Sequence, residues 1–156
     1  MVAFAGPCDV LPEKMVDLVD RNEGKKIRSE EMLHFIVEFF GKDLVQTILL
    51  QRLLVSLAQQ EIMFRTKNFL IRSGNDLFDG ESKLSVSIAT ASPVSTLIHF
   101  GINISSKNTP VKTRGLSDYG IDPQGFAKSM METFKHEVET VETARSKVKA
   151  VTESYG

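Results

Sequence analysis

The sequence predicts an α+β domain in which helices pack against a mainly antiparallel sheet. Two observations carry that prediction. From Asn68 the apolar spacing changes from a helical period to strand alternation, and the Asp79-Gly80 dipeptide marks a tight turn. Helix-start signals stand at Ser29, Asp43 and Asp122-Pro123, each ahead of apolar residues at helical spacing. The 156 residues make one domain, 1–156, large enough to fold without disulfides or structural metal.

Taken in order, Val2 to Ala5 read as a short buried strand ended by Gly6-Pro7, and an irregular acidic segment follows with Asp9, Asp17 and Asp20. Ser29 as cap, with Met32, Leu33, Phe35, Ile36, Phe39 and Phe40 as an apolar stripe and Gly41 as the stop, predicts a first helix. Asp43 with Gln46 has the form of a capping box and opens a second helix running to about Phe64. Strands are expected over residues 69–72, 76–78, 84–90 and 97–105, with 74–104 folding as a twisted hairpin. After a polar loop, Asp122-Pro123 starts a last helix to about Val148, with Phe126, Met130, Phe134, Val138, Val141 and Ala144 turned inward.

Charge and cysteine content narrow the function classes. Nineteen Lys and Arg balance twenty Asp and Glu with no basic stripe, so nucleic acid is not favoured as a partner. One cysteine, Cys8, points to a reducing compartment and hence the cytoplasm, and no Cys/His spacing resembles a metal site. No apolar run approaches bilayer length, so a membrane is not expected as a partner. The apolar start at Met1 suggests that an N-terminal segment is missing. A sheet lacking that edge strand would expose pairing groups, and a homodimer is the expectation.

The chemistry is expected on the hairpin. Alternation puts Leu84, Val86 and Ile88 on one face and Lys83, Ser85, Ser87 and Ala89 on the other. On the returning strand Ile98, Phe100 and Ile102 oppose Leu97, His99, Gly101 and Asn103. If the apolar faces align, Lys83, His99 and Asn103 share a polar surface, and Gly101 allows close approach by a ligand or another backbone. The plainer reading is an ordinary solvated hairpin face.

The string Gly74-Asn-Asp-Leu-Phe-Asp-Gly-Glu-Ser-Lys83-Leu-Ser-Val-Ser-Ile-Ala89, followed by Ile98-His-Phe-Gly101, resembles the lysine hairpin of lipoate protein ligases. The resemblance implies that Lys83 holds the carboxylate, and then the adenylate, of an acyl substrate. It carries over Asn75, Asp76, Ser85, His99 and Gly101 as ligand-binding positions.

Gly6-Pro-Cys-Asp9, Met15-Val-Asp-Leu18, Met32-Leu-His-Phe-Ile36 and Val86-Ser-Ile-Ala-Thr90-Ala-Ser-Pro-Val94 extend the pattern. They resemble an uncharacterised family of small archaeal and bacterial proteins with the fold of biotin and lipoate ligases and class II aminoacyl-tRNA synthetases. The sequence also departs from the ligases. Their glycine-rich segment is replaced by Ala5-Gly-Pro-Cys-Asp9, and Val86 stands where they have glycine.

The resulting expectation is a ligase-like or acyltransferase-like enzyme acting on a lipoate-, biotin- or fatty-acid-type small acid. Lys83 neutralises charge, His99 and Asn103 orient the ligand, and Arg72 is auxiliary. ATP and Mg²⁺ are the implied cofactors, with Asp9, Asp17 and Asp20 as candidate Mg²⁺ ligands against the reading of a solvated acidic segment. Cys8 is a candidate nucleophile with His34 or His99 as base, against the reading of a small buried hydrophobe. The alternative function is a noncatalytic protein that keeps the fold for small-molecule binding or assembly.

Overall fold

The structure, a computed structural model, describes residues 1–149 and 151. Strands β1 (Val2–Val10), β2 (Ile27–Phe39), β6 (Ser85–Ala91) and β7 (Thr96–Asn103) form an antiparallel sheet in the order β1-β2-β7-β6. A smaller antiparallel sheet holds β3 (Ile71–Ser73), β4 (Asp76–Asp79) and β5 (Ser82–Lys83). The short helix α1 (Leu18–Asn22) lies between β1 and β2 in the chain, and α2 (Leu44–Thr66) and α3 (Pro123–Ser146) are the long helices.

The first predicted helix is instead β2, the long second strand of the sheet. The cause is burial on both faces. Leu33, Phe35 and Val37 join the core while Met32 and His34 are buried on the opposite face, so the in-out alternation that marks a half-exposed strand is missing. Ser29 caps nothing and donates instead to the carbonyl of Glu31 at 3.2 Å.

Gly6-Pro7 does not end the first strand. Pairing jumps from Gly6 opposite Met32 to Cys8 opposite Ser29, so Pro7, which lacks an N–H, sits in the irregularity. Nor is β1 a buried strand: it is an edge with Val2 and Phe4 more than half exposed.

The α2 capping box is present as expected. Asp43 accepts from Gln46 N at 2.7 Å and Gln46 Oε1 accepts from Asp43 N at 3.1 Å. The helix turns Leu54, Val55, Ala58 and Ile62 onto β6 and β7. Phe126, Met130 and Phe134 of α3 complete this core, but Val141 and Ala144 are exposed, because the far half of α3 runs past the covered layer. Both long helices therefore lie on one face of the large sheet, which leaves the other face for a site.

Segment 74–104 is two hairpins rather than one. Gly80, at φ 56°, turns β4 into β5, and Leu84 then carries the chain from the small sheet into β6 of the large one. Leu84 and Ser85 are both buried in succession, which resets the alternation at this crossing.

Candidate functional site

The face of the large sheet away from the helices floors a cleft of about 670 Å³. Register fixes which side chains lie side by side on it. Phe4, His34, Gly101 and Val86 form one row across the strands, and Val2, Ile36, His99 and Ile88 form the next. Residues 14–17 and 25–28 make one wall, contributing the apolar Met15 and Val16 and the cations Lys14, Lys26 and Arg28. Thr109, Pro110, Val111 and Thr113 make the other wall. That second wall is zipped to the site lysine: Lys83 N donates to Lys112 O at 3.0 Å, and Arg114 N donates to Lys83 O at 3.2 Å.

The structure corrects the facing inferred for β6. Val86 and Ile88 lie opposite Gly101 and His99, whereas Ser85, Ser87 and Ala89 lie opposite Ile102, Phe100 and Ile98 on the helix side. Gln51 of α2 accordingly donates to Ser87 Oγ at 2.7 Å, and Ser85 Oγ accepts from Leu77 N at 2.9 Å. The consecutive burial of Leu84 and Ser85 is what lets Lys83 line the cleft together with Val86.

Lys83 is not a free ammonium. Its Nζ lies 2.8 Å from Asp76 Oδ2, and Asp76 Oδ1 accepts from Ser87 N at 3.0 Å, so the carboxylate is fixed from two sides. Burial pushes the Asp76 carboxyl above its ordinary range, with the Lys83 contact opposing that shift. One of the three ammonium protons serves Asp76, and the others remain for a ligand.

Two histidines stand in contact on the same face. His34 Nδ1 and His99 Nε2 are 3.0 Å apart, and His34 Nε2 lies 3.3 Å from Gly6 O. Phe4 stacks on His34 with ring centroids 4.9 Å apart, and His34 is buried. Burial, followed by the neighbouring His34, lowers the His99 pKa, so His99 is neutral near pH 7.

A group neutral by burial stabilises the fold fully above its unfolded pKa of about 6.5, and that stability is lost as pH falls toward the lower folded value. Wild-type stability should therefore decline relative to His99→Gln as pH drops below 6.5. Urea titrations at stepped pH measure the difference, and parallel curves for the two proteins would refute the coupling.

The other expected site residues divide. Asn75, Asp76, Gly101 and Asn103 border the cleft, and so does Ser85, although its Oγ is occupied by Leu77 N. The close neighbour that Gly101 admits is a side chain: a Cβ there would collide with the Met32 thioether. Asn103 Nδ2 is engaged by the carbonyls of Lys83 at 3.4 Å and Arg114 at 3.3 Å, so it braces the wall and has no donor left for an acid. Arg72 does not line the cleft and donates to the Gly74 carbonyl within its own hairpin.

Cys8 borders the cleft, but burial and then Asp9 push its thiol pKa up, the opposite of what a nucleophile needs. Asp17 caps α1 by accepting from Val19 N and Asp20 N, and Asp20 pairs with Lys25 at 2.8 Å. Among the described residues no three His, Cys, Asp or Glu side chains cluster as metal ligands.

Sequence reading missed Met32, Val86 and Ile88 as floor residues, and it missed the His34–His99 contact. Reading residues 32–37 as a strand would have put Met32 and His34 on one face; the register that sets His34 opposite Gly101 comes from the packed sheet.

A family model described as a domain of unknown function, DUF366, matches residues 1–149. This chain belongs to the DUF366 family. An uncharacterized protein of Methanocaldococcus jannaschii is 39% identical over 150 residues, covering 91% of this chain and 67% of that protein. A solved structure, a protein of unknown function from Pyrococcus horikoshi, superposes with TM-score 0.88 at 36% identity, covering 97% of this chain and 81% of that one.

More distant are ligases. The biotin protein ligase of Aquifex aeolicus in complex with biotin and ATP gives TM-score 0.59 at 22% identity over 75% of this chain and 54% of the ligase. Lipoate-protein ligase A bound with ATP gives TM-score 0.55 at 11% identity over 87% of this chain and 74% of that enzyme. This DUF366 chain thus has the biotin/lipoate ligase fold, and it spans about half the length of the biotin ligase. No helix among the described residues is long and apolar enough to cross a membrane.

Proposed function

We propose that this protein binds a small monocarboxylic acid in the cleft, with Lys83 taking the carboxylate in a ligase-like or acyltransferase-like reaction. The observation that carries the reading is the Lys83 ammonium at the cleft wall, oriented by a fixed Asp76 and facing an apolar floor. An acid carboxylate can share the ammonium with Asp76, while its chain covers the half-buried Val86 and Ile88 and removes them from water. The biotin ligase structure that shares this fold holds such an acid, in agreement with the reading.

The first-strand region does not fit a phosphate cradle. Pro7 offers no N–H, the Gly6 carbonyl lies within hydrogen-bond distance of His34, and Asp9 adds negative charge. That departure, with the raised Cys8 thiol pKa, favours as second reading a noncatalytic acid-binding protein of the cytoplasm.

Thermal shift with octanoate, lipoate, biotin and amino acids, each with and without ATP–Mg²⁺, tests both readings. An acid at a hundred times its Kd should add about 2.7 kcal/mol. Stabilisation by an acid that disappears in Lys83→Met supports binding, and dependence on ATP–Mg²⁺ separates ligase from binder. A flat panel removes both. Light scattering on the same samples reports whether β1 pairs with a second copy, since a monomer at every concentration contradicts the dimer.

A further inference from the structure

Carboxylate recognition leaves the histidine pair unused, yet its hydrogen bonds have a determined direction. The Gly6 carbonyl can only accept, so a His34 ring with one proton carries it on Nε2 and presents a lone pair at Nδ1. His99 Nε2 must then donate to His34 Nδ1, which leaves a bare lone pair on His99 Nδ1. That nitrogen has no hydrogen-bond partner among the described residues, and of the two histidines only His99 lines the cleft.

We propose that the cleft selects acids bearing an O–H or N–H donor remote from the carboxyl, with His99 Nδ1 accepting that donor while Lys83 holds the carboxylate. The inference rests on the Lys83 reading and adds the class of acid. The floor between the two ends agrees with it. Met32 covers Gly101, and Val86 lies opposite Gly101 in the same row, so the middle of the ligand meets thioether and hydrocarbon. A plain alkyl acid would bury the His99 lone pair without a partner, which costs free energy; a donor-bearing acid satisfies it. His34 acts as a positioning residue, because its fixed tautomer decides which His99 nitrogen is bare.

Calorimetric titration of the full chain with plain acids and ω-hydroxy acids of matched length, about six to ten carbons, reads the selection. At least one hydroxy acid should bind roughly tenfold more tightly than its plain counterpart. The ratio should fall to one in His99→Phe. Equal affinity at every length overturns this inference while leaving Lys83-dependent binding intact. Absence of binding by either series overturns the carboxylate reading and this inference together.

Nitrogen NMR of the imidazoles gives a readout independent of any variant folding. Both wild-type rings should be Nε2–H tautomers, with His99 Nδ1 moving on addition of the hydroxy acid. His34→Phe should mix the His99 tautomers. A His99 ring protonated at Nδ1 in the wild type would overturn the proposal.

Discussion

Replacing Lys83 by methionine is expected to lower stability by about 1–3 kcal/mol at pH 7, because it leaves the Asp76 carboxylate without its counter-ion in a largely buried position. Both partners keep some solvent, Lys83 with 31% and Asp76 with 23% of their side-chain surface, so the loss should fall short of that for a fully buried pair. The Asp76 pKa, already raised by burial, should climb further once the one contact that most opposes burial is gone.

A carboxyl with a raised folded pKa binds its proton more readily in the native state, so the variant should recover stability relative to wild type as pH falls through that pKa. Adding Asp76→Asn should restore much of the stability at pH 7 without restoring acid binding. Urea denaturation of the four proteins of the cycle, with carboxyl NMR titration of Asp76, measures these effects. Equal stability of Lys83→Met and wild type would show the ion pair to be energetically idle.

Phe100→Ala is expected to cost about 3–5 kcal/mol, the range for truncating a fully buried aromatic side chain. Phe100 is completely buried at the centre of β7 and stacks on Phe35 of β2 with centroids 5.8 Å apart. No neighbour can close that space without moving β7, whose next residues on the opposite face are His99 and Gly101. The mutation should therefore also weaken the His34–His99 contact, seen as loss of the distinct imidazole nitrogen signals. Val141→Ala is the contrast. Val141 lies on the uncovered half of α3 and is 46% exposed, so its truncation should stay within about 0.5 kcal/mol. A small effect at Phe100 would contradict the layer arrangement.

Local chemistry explains which elements were legible. Asp43 with Gln46, and Asp122 with Pro123, start helices through bonds made within a few residues, and both helices begin there. Asp79-Gly80 makes its turn because Gly80 adopts a positive φ at no steric cost. The resemblance on residues 74–101 and beyond placed the fold among the biotin and lipoate ligases. The apolar spacing of residues 32–40 misled only in β2, which it assigned to a helix. Residues 32–35 of this strand are buried on both faces, by helices on one side and at the cleft on the other, and such a run does not declare its period.

The site follows the same division. Sequence alone determined the residue types in the cleft, among them Lys83, Asp76, His99 and Gly101, and the order in which strands carry them. Tertiary structure decided which face each occupies and with whom it pairs. The crossing at Leu84 resets the alternation that linear reading extends from Lys83 to Ala89, so Val86 and Ile88 face the cleft where Ser85 and Ser87 had been expected. The partners Asp76–Lys83 and His34–His99 belong to different strands, and the histidines are 65 residues apart in the chain. Strand alternation is a local property and can be read along the chain; register between strands is set by the packing of the whole sheet against its helices, and that is where the chemistry of this cleft was fixed.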